Sequence, residues 1–285
     1  MTRTAAWATG ALVLLVGLAL AGPLFAPADP VAIGDVVGTR LLAPFATDAA
    51  GHWHMLGTDR FGRDLFFRML VAGRVSLLVG VIGSVAAAAL GLVIGALAGW
   101  RRGAFELVAM AAADTMLAVP RLVLLLVCAA LWRPGTATVI VVLAATGWMG
   151  IARLVRGEVL GLVARPFVGA AAALGARPGR ILWRHVVPNA LGPLLVATTL
   201  GVGNAILLES GLSFLGLGVQ PPAPSWGNMI AGGRDLIVVA PWVSLAPGIA
   251  LVGTVLCCTL LGDALDAGLR GEAGAGLREL SARGA

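Results

Sequence analysis

Gly211, Ser213 and Gly216 set a serine among glycines, as in turns that expose a nucleophilic hydroxyl. A serine-hydrolase elbow needs glycine two residues to each side of the serine and a general base. Here Phe214 and Leu215 follow the serine, and the nearest histidine in sequence is His185. His52 and His54 flank Trp53 and could begin a metal site. Two histidines at i and i+2 with no third ligand nearby seldom complete one, so no metal is expected. Cys128, Cys257 and Cys258 all lie inside apolar runs without metal spacing. Neighbouring cysteines on a helix point in different directions, so buried inert thiols are expected. A phosphate-cradling P-loop requires lysine, and the chain has none: all 20 basic residues are arginine. No catalytic residue and no cofactor are therefore expected.

The elements that carry these residues are apolar. Of 285 residues, 59% are hydrophobic and 12% charged, against roughly 25% charged in an average soluble domain. A soluble fold of this size cannot cover such a chain, whereas a bilayer removes the need. A net charge of +6 raises nucleic acid as a partner, but aromatic interleaving of the kind that stacks bases is missing. Spanning helices are expected over 5–25, 75–100, 107–132, 134–152, 186–208 and within 236–262. The first, closed by Pro23 and Pro27, also fits a signal peptide. Gly80, Gly83, Gly91, Gly95 and Gly99 give the second a small-residue face for close helix packing. The string from Ser210 to Gly233 is apolar but dense in Gly and Pro, which fits a re-entrant or interfacial segment buried by protein.

With the N-terminus inside, Arg3, Arg101, Arg102, Arg153, Arg156, Arg165, Arg177, Arg180, Arg184, Arg270, Arg278 and Arg283 are cytoplasmic. Outside lie Arg133, Arg234 and the exceptions of the first external loop, Arg40, Arg60, Arg63, Arg68 and Arg74, balanced in number by Asp29, Asp35, Asp48, Asp59 and Asp64. The bias predicts six spans with both termini inside. It also sets Ser213 and His185 on opposite sides of the membrane, against an intramembrane protease. Asp114, Arg121 and Glu209 are intramembrane or boundary charges, each expected to face the bundle or an interface because a charge at the bilayer centre is costly. Asp114 and Arg121, seven apart, fall on one helical face. Asp114 is placed near the cytoplasmic headgroups, and Arg121 is left between a substrate pathway and a boundary.

The stretch 153–188 is too polar to span and too long for a simple turn. Glu158 to Leu174 reads as a helix broken only by Pro166, Gly175 as its C-cap, and Arg177-Pro178 as a restart, with Pro188 beginning the next span. Two short helices joined at a glycine would present a basic, small-residue surface to the cytoplasm.

The run Phe167 to Ala176, followed by Arg184 to Asn189, resembles the EAA loop of binding-protein-dependent ABC importers. Ala170, Ala171, Gly175 and Pro188 match that pattern, while Gly169 stands where the family has Glu. His54 to Asp64 with Gly73 to Gly80, and Leu212 to Pro222 with Pro224 to Gly227, resemble stretches of the dipeptide/oligopeptide/nickel permeases, C-type subunit; Leu261 to Asp263 fits as well. The resemblance covers about His54 to Asp266.

It implies an all-α integral membrane protein of the type I ABC importer permease fold, with six transmembrane helices, N-in and C-in. Residues 1–72 would form an N-terminal transmembrane helix and external loop, 73–266 the permease domain with coupling loop 153–188, and 267–285 a cytoplasmic tail. Phe167, Ala170, Ala171, Leu174, Gly175, Arg177, Arg180 and Pro188 would form the ATPase-coupling loop, and Gly57, Thr58, Asp59, Gly62, Arg63 and Asp64 the external family motif. Implied partners are a homologous second permease, two ATPase subunits that bind the ATP, a periplasmic or lipid-anchored solute-binding protein, and membrane lipid, with no nucleic acid. The resemblance places the chain in the bacterial cytoplasmic (inner) membrane as a non-enzymatic importer of short peptides. Nickel or glutathione import by the same kind of permease, and a stand-alone secondary carrier, are the alternatives.

Overall fold

The computed structural model describes residues 3–26, 29, 32–33 and 36–283, and it is built from helices. Pro27, the expected stop of the first span, and Asp35, a balancing charge of the external loop, lie outside the described residues, as do residues 284–285 of the expected tail. Among the described residues four helical stretches are long and apolar enough to cross a membrane. The first is α3 (Leu65–Arg101). The second joins α6 (Thr136–Ala145) to α7 (Trp148–Val163). The third joins α9 (Pro178–Ile181), a π-helical turn over Leu182–Val186, and α10 (Val187–Phe214). The fourth lies in α12 (Trp242–Arg283). A shorter apolar helix, α1 (Arg3–Ala21), packs on α12 and α3, and a single turn, α2 (Val36–Thr39), precedes the strands.

The expected span 107–132 is not one straight helix. It is a bent pair, α4 (Gly103–Leu117) and α5 (Arg121–Ala130), turning by 93°. Proline supplies no N–H and disfavours helical geometry in the residue before it, so Val119-Pro120 ends one helix before the next begins. The pair would make a fifth span if counted as one. Other boundaries shift too. Helix α3 starts ten residues before Val75, taking in Arg68 and Arg74. Glu158 to Leu174 is two helices, the end of α7 and α8 (Pro166–Ala173), because Pro166 opens its own first turn. The π turn lies just ahead of Pro188, whose ring cannot continue the ordinary hydrogen-bond ladder.

Helix α3 is the axis of the fold, packed chiefly on α7, α10 and α6. Its glycines allow the approach. A β-carbon at Gly95 would lie 2.3 Å from the Ala152 carbonyl oxygen, and one at Gly91 2.7 Å from Ile151. One at Gly80 would fall 2.3 Å from Ile206 on α10. Without a hydrophobic drive between helices in lipid, such backbone proximity supplies the dispersion contact. One buried cluster (Ala96, Val155, Val159, Val168, Ile181, Val186) closes the end of the bundle bearing α8 and α9. Another (Leu65, Ala72, Ile206, Trp226, Met229, Leu251) closes the opposite end, where α11 (Trp226–Gly233) sits.

Candidate functional site

At the α8–α9 end the chain forms an elbow. Pro166 starts α8 after Arg165, and the helix stops at Leu174. Gly175 then takes φ +80°, where a β-carbon would be strained, and Arg177-Pro178 restarts the chain as α9. Val168 and Ile181 anchor the elbow in the core. Its outer face carries Phe167, Ala170, Leu174, Gly175, Arg177 and Arg180, all exposed, with Ala171 half-buried. Leu174 is 89% exposed, left uncovered by the described residues. Trp183, which the sequence reading did not single out, adds a second large exposed apolar group, and Pro188 lies exposed at the start of α10. A β-carbon at Gly169 would meet nothing within 4 Å. Beside the elbow, α7 is clamped to α4: Arg156 Nε donates to Glu106 at 2.6 Å, and Arg153 pairs with Asp114.

At the opposite end the family-motif residues form one knot. Asp59 accepts from the backbone N–H of Phe61 (2.8 Å) and of Arg63 (3.1 Å), and its other oxygen takes the Arg63 guanidinium, with Arg68 Nε 3.8 Å away. Thr58 Oγ accepts from Leu42 N–H and donates to the Thr39 carbonyl. Gly57 (φ +76°) is pressed against the Leu42 carbonyl, which a β-carbon would approach to 2.3 Å. Gly62, at φ +73°, closes the turn. Asp64 caps α3 by accepting from Phe67 N–H, and its second oxygen is 2.7 Å from His54 Nδ1. His52 and His54 are thus engaged by carboxylates: the two short strands Ala46–Thr47 and Trp53–His54 bring His52 onto Asp48. The backbone N–H of His52 is the main cause that holds the Asp48 carboxyl below its usual range. Arg60 and Arg63 lie 4.9 and 4.6 Å from the Phe61 ring centroid. Between this knot and α11 is a cavity of about 450 Å³ lined by Arg60, Arg63, Arg68 and Asn228.

Beneath the knot sits Glu209, fully buried. Ser213 donates to it at 2.6 Å and Ser76 at 3.1 Å, while Ser76 also accepts the Trp226 backbone N–H. Ser213 accepts from Val219 N–H. The carboxylate thereby ties α3, α10 and the turn leading to α11 into one unit. The Ser225 cap and the Asn228 amide, which bonds the carbonyls of Val219 and Ala223, fold the Gly/Pro-rich string over it. A lone acid in an apolar run was the sequence signal for Glu209; Ser213 drew notice only as a possible nucleophile, and Ser76 gave no signal.

Midway between the ends a cavity of about 380 Å³ is lined by Ser84, Arg121, Gly147, Ile151, Gly201 and Asn204, among others. Arg121 reaches it from the first residue of α5. The bend separates Arg121 from Asp114, which is exposed and paired near the elbow end, so the two do not share a helical face. Cys128, Cys257 and Cys258 are unpaired thiols within helices.

Residues 91–271 match the family described as binding-protein-dependent transport system inner membrane component. A protein of Sinorhizobium fredii named as a peptide ABC transporter permease is 42% identical over 248 residues, covering 87% of this chain and 82% of that protein. One of Brucella suis biovar 1, named as a peptide permease, is 40% identical over 223 residues, 77% of this chain and 74% of that protein. The fold is similar to a chain of the MetNI methionine ABC transporter in its inward-facing conformations, with a TM-score of 0.57 over 70% of this chain and 96% of that one at 21% identity. The chain therefore belongs to the family of binding-protein-dependent transport system inner membrane components, as a permease subunit of the bacterial cytoplasmic membrane.

Proposed function

We propose that the chain is the C-type permease of an ATP-driven importer of short peptides, pairing with a homologous permease, two ATPases and an external solute-binding protein. The single observation that carries the coupling role is the elbow's bare outer face: Phe167, Leu174 and Trp183 exposed beside Arg177 and Arg180, on a scaffold anchored by Val168 and Ile181. Apolar groups rimmed by charge at the end of a bundle suit a protein partner's groove. ATPase closure would push the elbow and rock α3, α7 and α10 as packed helices. Peptides are preferred as cargo because the two relatives bear that name. The arrangement has six crossings, α1 and the bent α4–α5 pair included, with the elbow and both termini in the cytoplasm. ATP is bound and hydrolysed by the partners, and this subunit is not an enzyme. Co-purification tests the reading: the tagged wild type retains the ATPases, and a variant carrying Ala171→Asp and Gly175→Pro loses them while still entering the membrane. A wild type that retains no ATPase, or a variant that binds as well, would sink the coupling assignment and favour a stand-alone carrier.

A further inference from the structure

The cavity midway along the bundle holds a charge that, among the described residues, no ion pair answers. Its walls come from near the middle of three membrane-length helical stretches: Ser84 on α3, Gly147 between α6 and α7, and Gly201 on α10. Arg121 enters where the α4–α5 pair breaks, so the positive end of the α5 dipole lies beside the same space. Among the described residues the Arg121 Nε is buried without a hydrogen-bond partner, none of the ion pairs includes Arg121, and no carboxylate lines the cavity. The guanidinium lies against the backbone of Gly147: a β-carbon there would be 3.0 Å from Arg121 Nη2 and 2.8 Å from the Ala87 β-carbon. Asn204, exposed in the single chain, stands on the cavity's open side as a further polar group. An arginine at this depth is costly unless something answers it, and its planar fork matches a carboxylate. The cavity volume lies within the range of small-molecule sites, roughly 300–1,000 Å³.

Resting on the peptide-permease reading above, we propose that Arg121 is a substrate-contact residue that receives the C-terminal carboxylate of a peptide crossing the membrane. The site is transient by design: one fork of donors, a single neutral amide nearby and no acid to occupy it. It reads the free carboxylate that all linear peptides share, and leaves side-chain choice to other surfaces.

The test uses the complete importer in proteoliposomes, with ATP-dependent uptake of labelled dialanine and of dialanine amide. Arg121→Gln is expected to lower dialanine uptake about ten-fold, the scale of one charge-assisted hydrogen bond, while changing the amide less than about two-fold. Arg121→Lys is expected to recover much of the loss. The same binding protein serves every variant, so its own preference cancels in the ratio. Asn204→Asp, which offers the guanidinium an internal carboxylate, is expected to select against the free acid in the same way, and decides the matter if Arg121→Gln fails to assemble with the ATPases. Equal loss for both peptides would assign Arg121 to pairing with a neighbouring subunit and overturn the proposal, as would no loss for either. If the wild type carries the acid but not the amide, retention by Arg121→Lys with loss by Arg121→Gln supports it, and equal loss by both overturns it. A wild type that carries neither peptide removes the peptide reading itself, and this inference with it.

Discussion

Glu209 shows how a single buried acid can act as a joint. Its oxygens are met by hydroxyls from Ser76 and Ser213, and the same hydroxyls accept backbone N–H groups from Trp226 and Val219. Removing the acid leaves these donors buried with no acceptor. Glu209→Ala is therefore expected to destabilise the purified subunit by about 3 kcal/mol, and Glu209→Gln, which keeps an acceptor oxygen, by clearly less. Thermal unfolding in detergent checks the order; equal melting of the two variants would contradict it. Asp48 makes a milder case at the surface. The His52 N–H favours its charged form, so its carboxyl titrates below the usual 3.8. A depressed acid stabilises the fold above its unfolded value and loses that contribution as pH falls through the folded one. The hairpin of residues 46–54 is thus expected to hold its amide protection from neutral pH down to about pH 4 and to loosen below it, as hydrogen exchange would read. Asp48→Asn should remove that acid step.

Among the elements, α3 was the most legible and the α4–α5 pair the least. The spacing of Gly91, Gly95 and Gly99 announces a helix face made for close contact, and that face meets α7. Gly95→Ala is expected to cost about 1–3 kcal/mol, because its methyl would press on the Ala152 backbone, which cannot rotate away as a side chain could. Gly169→Ala, in helix α8 with open space around it, is the control and should not lower stability, since alanine favours the helix. Pairwise unfolding measurements in one detergent distinguish them. The break at Val119-Pro120 was misread because hydropathy sums over a window and ignores direction: both halves are apolar, and only the proline records the 93° turn. The arginines expected outside look anomalous for the same reason, since charge counts ignore engagement. Arg74 donates to the Ala19 carbonyl at 2.7 Å and to that of Leu20, closing the α1 C-terminus, while Arg63 and Arg68 turn to Asp59.

Across the whole molecule, the membrane class and the elbow were readable because both rest on local signals: long apolar runs, and Pro166, Gly175 and Pro178 at fixed offsets. The knot was readable as a motif but not as a structure, since the closure of Thr58 onto Thr39 and Leu42 spans 19 and 16 residues. Of the mid-bundle cavity the sequence offered only Arg121, as a charge that could face a substrate pathway. The cavity arises where a bend, two glycines and an arginine from separate helices converge, and no periodicity records that. The two motif groups occupy opposite ends, linked through α3: Asp64 caps its start and Trp100 packs against the elbow core at its finish. On the coupling proposed above, a push at the elbow would travel along α3 to the knot.

Gly169 leaves one further trace. Among the described residues nothing would crowd a side chain there, so packing within the chain does not require glycine. On the docking proposed here, its identity is a record of the ATPase rather than of the permease. The Glu of the resembled pattern would call for a basic group opposite, whereas Gly169 offers only backbone. Its cognate ATPase should therefore carry a neutral groove at that point, which gives a rule for matching orphan subunits to each other across a genome.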